Sequence, residues 1–94
     1  MIKHIVCFKL KKGKSVKEAA DILRSMKGKV PTVIDLEVGE DFLHSERSFD
    51  IILQVTLKDK EALELYQQDT YHCEVVKKHM HAVRESSIAV DYEI

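Results

Sequence analysis

Apolar and polar side chains alternate from Ile2 to Leu10, with Ile2, His4, Val6, Phe8 and Leu10 in one row, which predicts a first β-strand. The other row, Ile5 and Cys7 between Lys3 and Lys9, is also apolar at its centre, so both faces of the strand should be covered. Beyond Gly13 the period changes to that of a helix. Ser15 and Glu18 form a capping-box pair, Val16, Ala19, Ala20, Leu23 and Met26 make an apolar stripe, and Gly28 and Pro31 end it. Thr32 to Val38 reads as a short strand with Ile34, Leu36 and Val38 inward, and Gly39 opens a polar loop to Ser48. Phe49 to Leu57 reads as a second long strand, its inner row Phe49, Ile51, Leu53, Val55 and Leu57 and its outer row centred on Ile52.

Asp59 is the expected N-cap of a helix through Gln68, and Asp69 or Thr70 breaks and recaps it. A further helix should run to about Arg84 on a stripe of His72, Val75, Val76, His79, Met80 and Val83, followed by a last strand from Ser87 to Ile94 with Ile88, Val90, Tyr92 and Ile94 in one row. The order β-α-β-β-α-β, with its second helix split, predicts an α+β ferredoxin-like sandwich: two helices on one face of an antiparallel sheet. Ile5, Cys7, Ile52 and Ala89 are expected to give the opposite face an apolar centre. A second copy of the same sheet is the economical cover, which makes the expected assembly a homodimeric α+β barrel.

Ninety-four residues allow one domain, residues 1–94, and a core that is marginal alone, so burial in a dimer would help. Fifteen Lys and Arg against sixteen Asp and Glu give a net charge of −1, which supplies no general field for nucleic acid or an anionic membrane. A local basic stretch, Lys9, Lys11, Lys12, Lys14 and Lys17, surrounds the first connection, where a solvated loop is expected and an anion could dock. Two cysteines without a signal-like segment or a long apolar run predict a cytoplasmic protein with reduced thiols.

Three polar groups stand out as candidate chemistry. His4 lies on the row facing the helices, and Tyr66 and His72 flank the helix break, which can bring them into one space. A phenol and two imidazoles around a dry cavity could deprotonate a carbon acid and hold the resulting oxyanion. His72 and His79, two turns or about 10 Å apart on a helix, cannot share one metal ion. Zinc spacing, phosphate-binding loops, dinucleotide fingerprints and a nucleophile elbow are all missing, and the aromatic content does not suit single-stranded nucleic acid. No cofactor is required by these groups.

Read together, the opening Met1-Ile-Lys-His-Ile-Val-Cys-Phe-Lys-Leu10, Lys29-Val-Pro-Thr-Val33, Leu36-Glu-Val-Gly39, Tyr66-Gln-Gln-Asp-Thr-Tyr-His72 and Val90-Asp-Tyr92 resemble the stress-responsive A/B barrel domain family over nearly the whole chain. The resemblance implies a homodimer, with functions that diverge among members. Some respond to stress without an assigned reaction. One branch comprises polyketide cyclases performing an aldol-type ring closure, in which Tyr66 and His72 would carry the chemistry and His4 would line the pocket. That branch's further histidine falls at about Ile51 here, and its usual proline at the helix break is replaced by Thr70. Other relatives bind a cation through backbone carbonyls, which would be those of Lys27, Val30 and Val33, with an ion such as Mg2+. The reading is a small-molecule-binding homodimer with an apolar pocket between sheet and helices, its ligand a small apolar, phenolic or carbonyl compound. The alternatives are a cyclase-like proton-transfer enzyme and a non-catalytic, stress-protective dimer.

Overall fold

A computed structural model describes residues 1–94. Four strands, β1 (Ile2–Leu10), β2 (Asp35–Glu40), β3 (Ile51–Leu57) and β4 (Arg84–Glu93), form one sheet in the order β2-β3-β1-β4, with every neighbouring pair antiparallel. Helices α1 (Val16–Arg24), α2 (Lys60–Gln68) and α3 (Lys78–Val83), with a π-helical turn at His72–Lys77, complete the predicted β-α-β-β-α-β order. The two termini of the chain therefore lie side by side: β1 and β4 pair from Ile2–Glu93 to Leu10–Arg84, and the Ile94 N–H donates to the Met1 carbonyl.

The helices begin where their caps dictate. The Ser15 hydroxyl accepts the Glu18 N–H at 3.0 Å, and the Asp59 carboxylate accepts the Ala62 N–H at 2.8 Å, each satisfying a donor the first turn leaves free. Ala19, Ala20, Leu23 and Met26 then pack under α1 against Val55, Leu57 and Tyr66, giving a core in which each of these side chains is shut off from solvent. Gly28 takes a left-handed φ of 84° just past α1, the conformation a glycine adopts without a Cβ clash.

Three expectations shift. The predicted strand at Thr32 begins three residues later, because Val33 N–H closes a turn onto the Val30 carbonyl at 3.2 Å, and Gly39 pairs with Ile52 inside β2 rather than opening the loop. The last strand begins at Arg84, directly after Val83 ends α3, with no intervening loop. Ala89 belongs to the opposite face from the one expected. It pairs with Val6 on the helix side, while Val90 pairs with Ile5 and Ile88 with Cys7, and directly paired residues share a face. The outer face is thus built from Ile5, Cys7, Ile52, Ile88, Val90 and Tyr92. Ile88 is 53 % exposed, Val90 57 % and Tyr92 43 %, an apolar band left open in the single chain.

Candidate functional site

Each predicted site residue reaches the same place from a different element. His4 projects from the central strand β1 onto the helix side, where it is 7 % exposed, and Tyr66 comes from the last turn of α2, fully buried. His72 opens the π-helical turn. Asp69 makes this junction: its carboxylate accepts the His72 N–H at 3.0 Å and its carbonyl accepts the Cys73 N–H at 2.9 Å, so the recapping falls to Asp69. The π turn runs on from His72 to Lys77, and His72 lies against the Tyr66 ring. The two rings stack with centroids 4.3 Å apart and 24° between planes, and His4 meets Tyr66 edge to face at 5.5 Å and 65°.

The environment sets the protonation of the two stacked rings. Burial, followed by the nearby Lys77 ammonium, pulls His72 down to about 4, so its imidazole is neutral near pH 7. Its Nδ1 is buried without a hydrogen-bond partner. Burial, with a smaller push from Asp69, drives the Tyr66 phenol well above its ordinary range and keeps it a proton donor. The hydroxyl has only the Met26 thioether as acceptor, at 3.6 Å.

A further residue, Asp91, is the polar partner of His4. It stands directly across from His4 in the β1–β4 ladder, and its carboxylate pairs with His4 Nδ1. With Nδ1–H given to Asp91, Nε2 is the His4 nitrogen left to accept a proton, the arrangement in which a carboxylate orients a general base. Asp91 went unassigned in the sequence: the row Ile88, Val90 and Tyr92 groups residues 89, 91 and 93 together, but only the β1–β4 pairing places them on the face of His4.

His4, Tyr66 and His72, but not Asp91, line a cavity of about 230 Å3 between the β1–β4 half of the sheet and the α2–α3 segment. Val6, Phe8, Leu53, Val76 and Met80 supply its apolar walls. It opens toward β4, where Ala89 is exposed. Ile51, at the place of the further cyclase histidine, is a core residue with 2 % exposure, so no third imidazole enters from β3.

The carbonyls of Lys27, Val30 and Val33 fit a cation poorly. The Val30 carbonyl already accepts the Val33 N–H, and three neutral oxygens offer none of the charge that offsets dehydration of a hard ion such as Mg2+. No three His, Cys, Asp or Glu side chains gather closely enough anywhere to hold a metal ion. No helix is long and apolar enough to cross a membrane.

A family model described as "Stress responsive A/B Barrel Domain" matches residues 2–94. Among curated proteins no match was found. The fold is similar to a dimeric protein of unknown function with a ferredoxin-like fold from Bacteroides fragilis, at 26 % identity and TM-score 0.79, covering 99 % of this chain and 95 % of that one. It is similar also to At3g17210 from Arabidopsis thaliana, at 18 % identity and TM-score 0.86 over 100 % and 95 % of the two chains. A hydroxynitrile lyase from Passiflora edulis, at 15 % identity, superimposes with TM-score 0.85 over 99 % and 92 %.

Proposed function

The chain belongs to the stress-responsive A/B barrel domain family, and from that premise we propose that it is a homodimer that binds a small, largely apolar molecule in the cavity beneath its helices. The observation that carries the reading is the meeting of His4, Tyr66 and His72 around open space. Their polar atoms are under-used there: His72 Nδ1 has no partner and the Tyr66 hydroxyl only a weak sulfur acceptor. A filled core would have satisfied them. The volume lies just below the roughly 300–1,000 Å3 of common ligand pockets, which suits a compact phenolic or carbonyl compound. The dimer would form through the open sheet face, as the apolar band of Ile88, Val90 and Tyr92 is the surface a second copy covers.

A thermal-shift screen of small phenols and carbonyl compounds tests the pocket. Hits that raise the melting temperature in wild type and lose that effect in His72→Ala are expected; a screen without hits, or hits indifferent to His72→Ala, rejects it.

The His4–Asp91 pair favours a second reading, proton transfer at a carbon next to a carbonyl. His4 Nε2 would take the proton while the Tyr66 hydroxyl donates to the enolate oxygen, and His72, held neutral and weakly basic, would position the ligand. Incorporation of deuterium from heavy water into the α-carbon of a bound ketone would report it. Asp91→Asn should slow that exchange by about a hundredfold or more by upsetting the His4 tautomer. Exchange that proceeds unchanged in Asp91→Asn removes His4 as the base.

A further inference from the structure

The cavity has two chemically distinct ends. Its deep end holds the stacked and edge-on rings, whereas its rim carries Lys77, His81 and Arg84. Lys77 closes the π turn and His81 follows four residues later in α3, so both occupy one helical face, and Arg84 begins β4 across from them. None of the three forms an ion pair, unlike Lys17 with Asp21 and Arg24 with Asp21 and Glu40 on the surface of α1. The only polar side-chain partner of Arg84 is the Ser87 hydroxyl, at 3.3 Å.

No Asp or Glu side chain lines the cavity. Asp91 holds His4, Asp69 caps the His72 N–H, and Glu85 lies in a separate groove beside Lys9, Lys11, Lys12 and Lys14. The rim is therefore a net positive patch on a chain whose overall charge is −1. The basic stretch of the first connection does not form this patch. Lys9 donates to the Ser48 carbonyl, Lys11 to the Ala82 carbonyl and Lys17 to Asp21, which leaves Lys12 and Lys14 on an exposed turn.

Resting on the pocket reading above, we infer that the ligand is an anion: a compact aromatic or aliphatic body carrying a carboxylate or phosphate, which Lys77 and Arg84 clamp at the rim with His81 beside them. The apolar body lies along Val6, Phe8, Val76 and Met80, and its far end reaches His4, Tyr66 and His72. The half-buried position of Lys77 and Arg84 strengthens their pull on an anion relative to exposed lysines, and a planar guanidinium matches the two oxygens of a carboxylate or phosphate. The influence of the Lys77 charge on His72 agrees with its standing close to the deep end.

Titration of the full-length, isotopically labelled protein with 4-hydroxybenzoate, 4-hydroxybenzamide and phenyl phosphate separates the possibilities. The two anions should bind at least tenfold more tightly than the neutral amide and move the amide resonances of residues 77, 84 and 89. The tighter of the two identifies the headgroup. Lys77→Gln and Arg84→Gln should each weaken the anions about tenfold and leave the amide unaffected, while Lys12→Gln and Lys14→Gln should change nothing, and added salt should weaken the anions alone. Equal affinity for amide and acid, unmoved by Lys77→Gln and Arg84→Gln, overturns the clamp while the pocket stands. Loss of anion binding in Lys12→Gln or Lys14→Gln also overturns it, as diffuse attraction. Failure of all three compounds to bind overturns clamp and pocket together.

Discussion

Between pH 7 and pH 4 the folded protein is expected to lose stability on the order of 3 kcal/mol through His72 alone. In the unfolded chain this imidazole takes up a proton near pH 6.5; in the fold, burial and the Lys77 ammonium postpone that to about pH 4. Above 6.5 neither state holds the proton and the group is silent. As the pH falls from 6.5 to 4 only the unfolded state gains it, so folding weakens steadily, and below 4 both states hold it and the loss stops growing. Against the roughly 5–15 kcal/mol that holds a small domain together, this is a large share. Urea unfolding at pH 7, 5.5 and 4.5, at one protein concentration, measures it. His72→Phe, which keeps a flat ring on Tyr66, should flatten the dependence over this window; an unchanged slope would mean that the imidazole is not held neutral.

The second large effect concerns the outer face of the sheet. Val90→Lys should convert the proposed dimer to monomers in sedimentation equilibrium. A two-fold interface uses the same patch twice, so each substitution removes two buried valines and desolvates two ammonium groups. The cost of about 4 kcal/mol or more corresponds to about a thousandfold in the dissociation constant. Ile88→Lys should act alike, whereas lysine at Glu37, on the same face but on edge strand β2 and already polar, should have little effect. A Val90→Lys protein that remains dimeric places the interface elsewhere.

Where sequence and structure agree, strong periodicity and caps carried the information. The β1 row, the α1 stripe, the Asp59 cap and the break after Gln68 were all readable because each depends on neighbours within a few residues. What was misplaced depended on pairing. Ala89 and Asp91 could be assigned to a face only through the β1–β4 register, which brings together residues almost the whole chain apart. The start of β2 was lost to a turn closed by one backbone hydrogen bond, for which Thr32 and Val33, both good strand formers, give no warning. Of the candidate site, His4, Tyr66 and His72 were found from type and position. Their stacking, the His4–Asp91 pair and the unpaired rim cations are properties of the assembled fold.

The π turn has a final consequence. Against an α-helix it holds, in effect, one residue more per turn, so it works as a phase adjuster between α2 and α3. Were residues 72–77 to regularise into an α-helix without losing one of them, everything after would swing by about 100°. Val76 and Met80 would rotate out of the core, and Lys77 and His81 would leave the cavity rim. A relative one residue shorter in this segment should instead run a regular α-helix there and keep the same side chains inward.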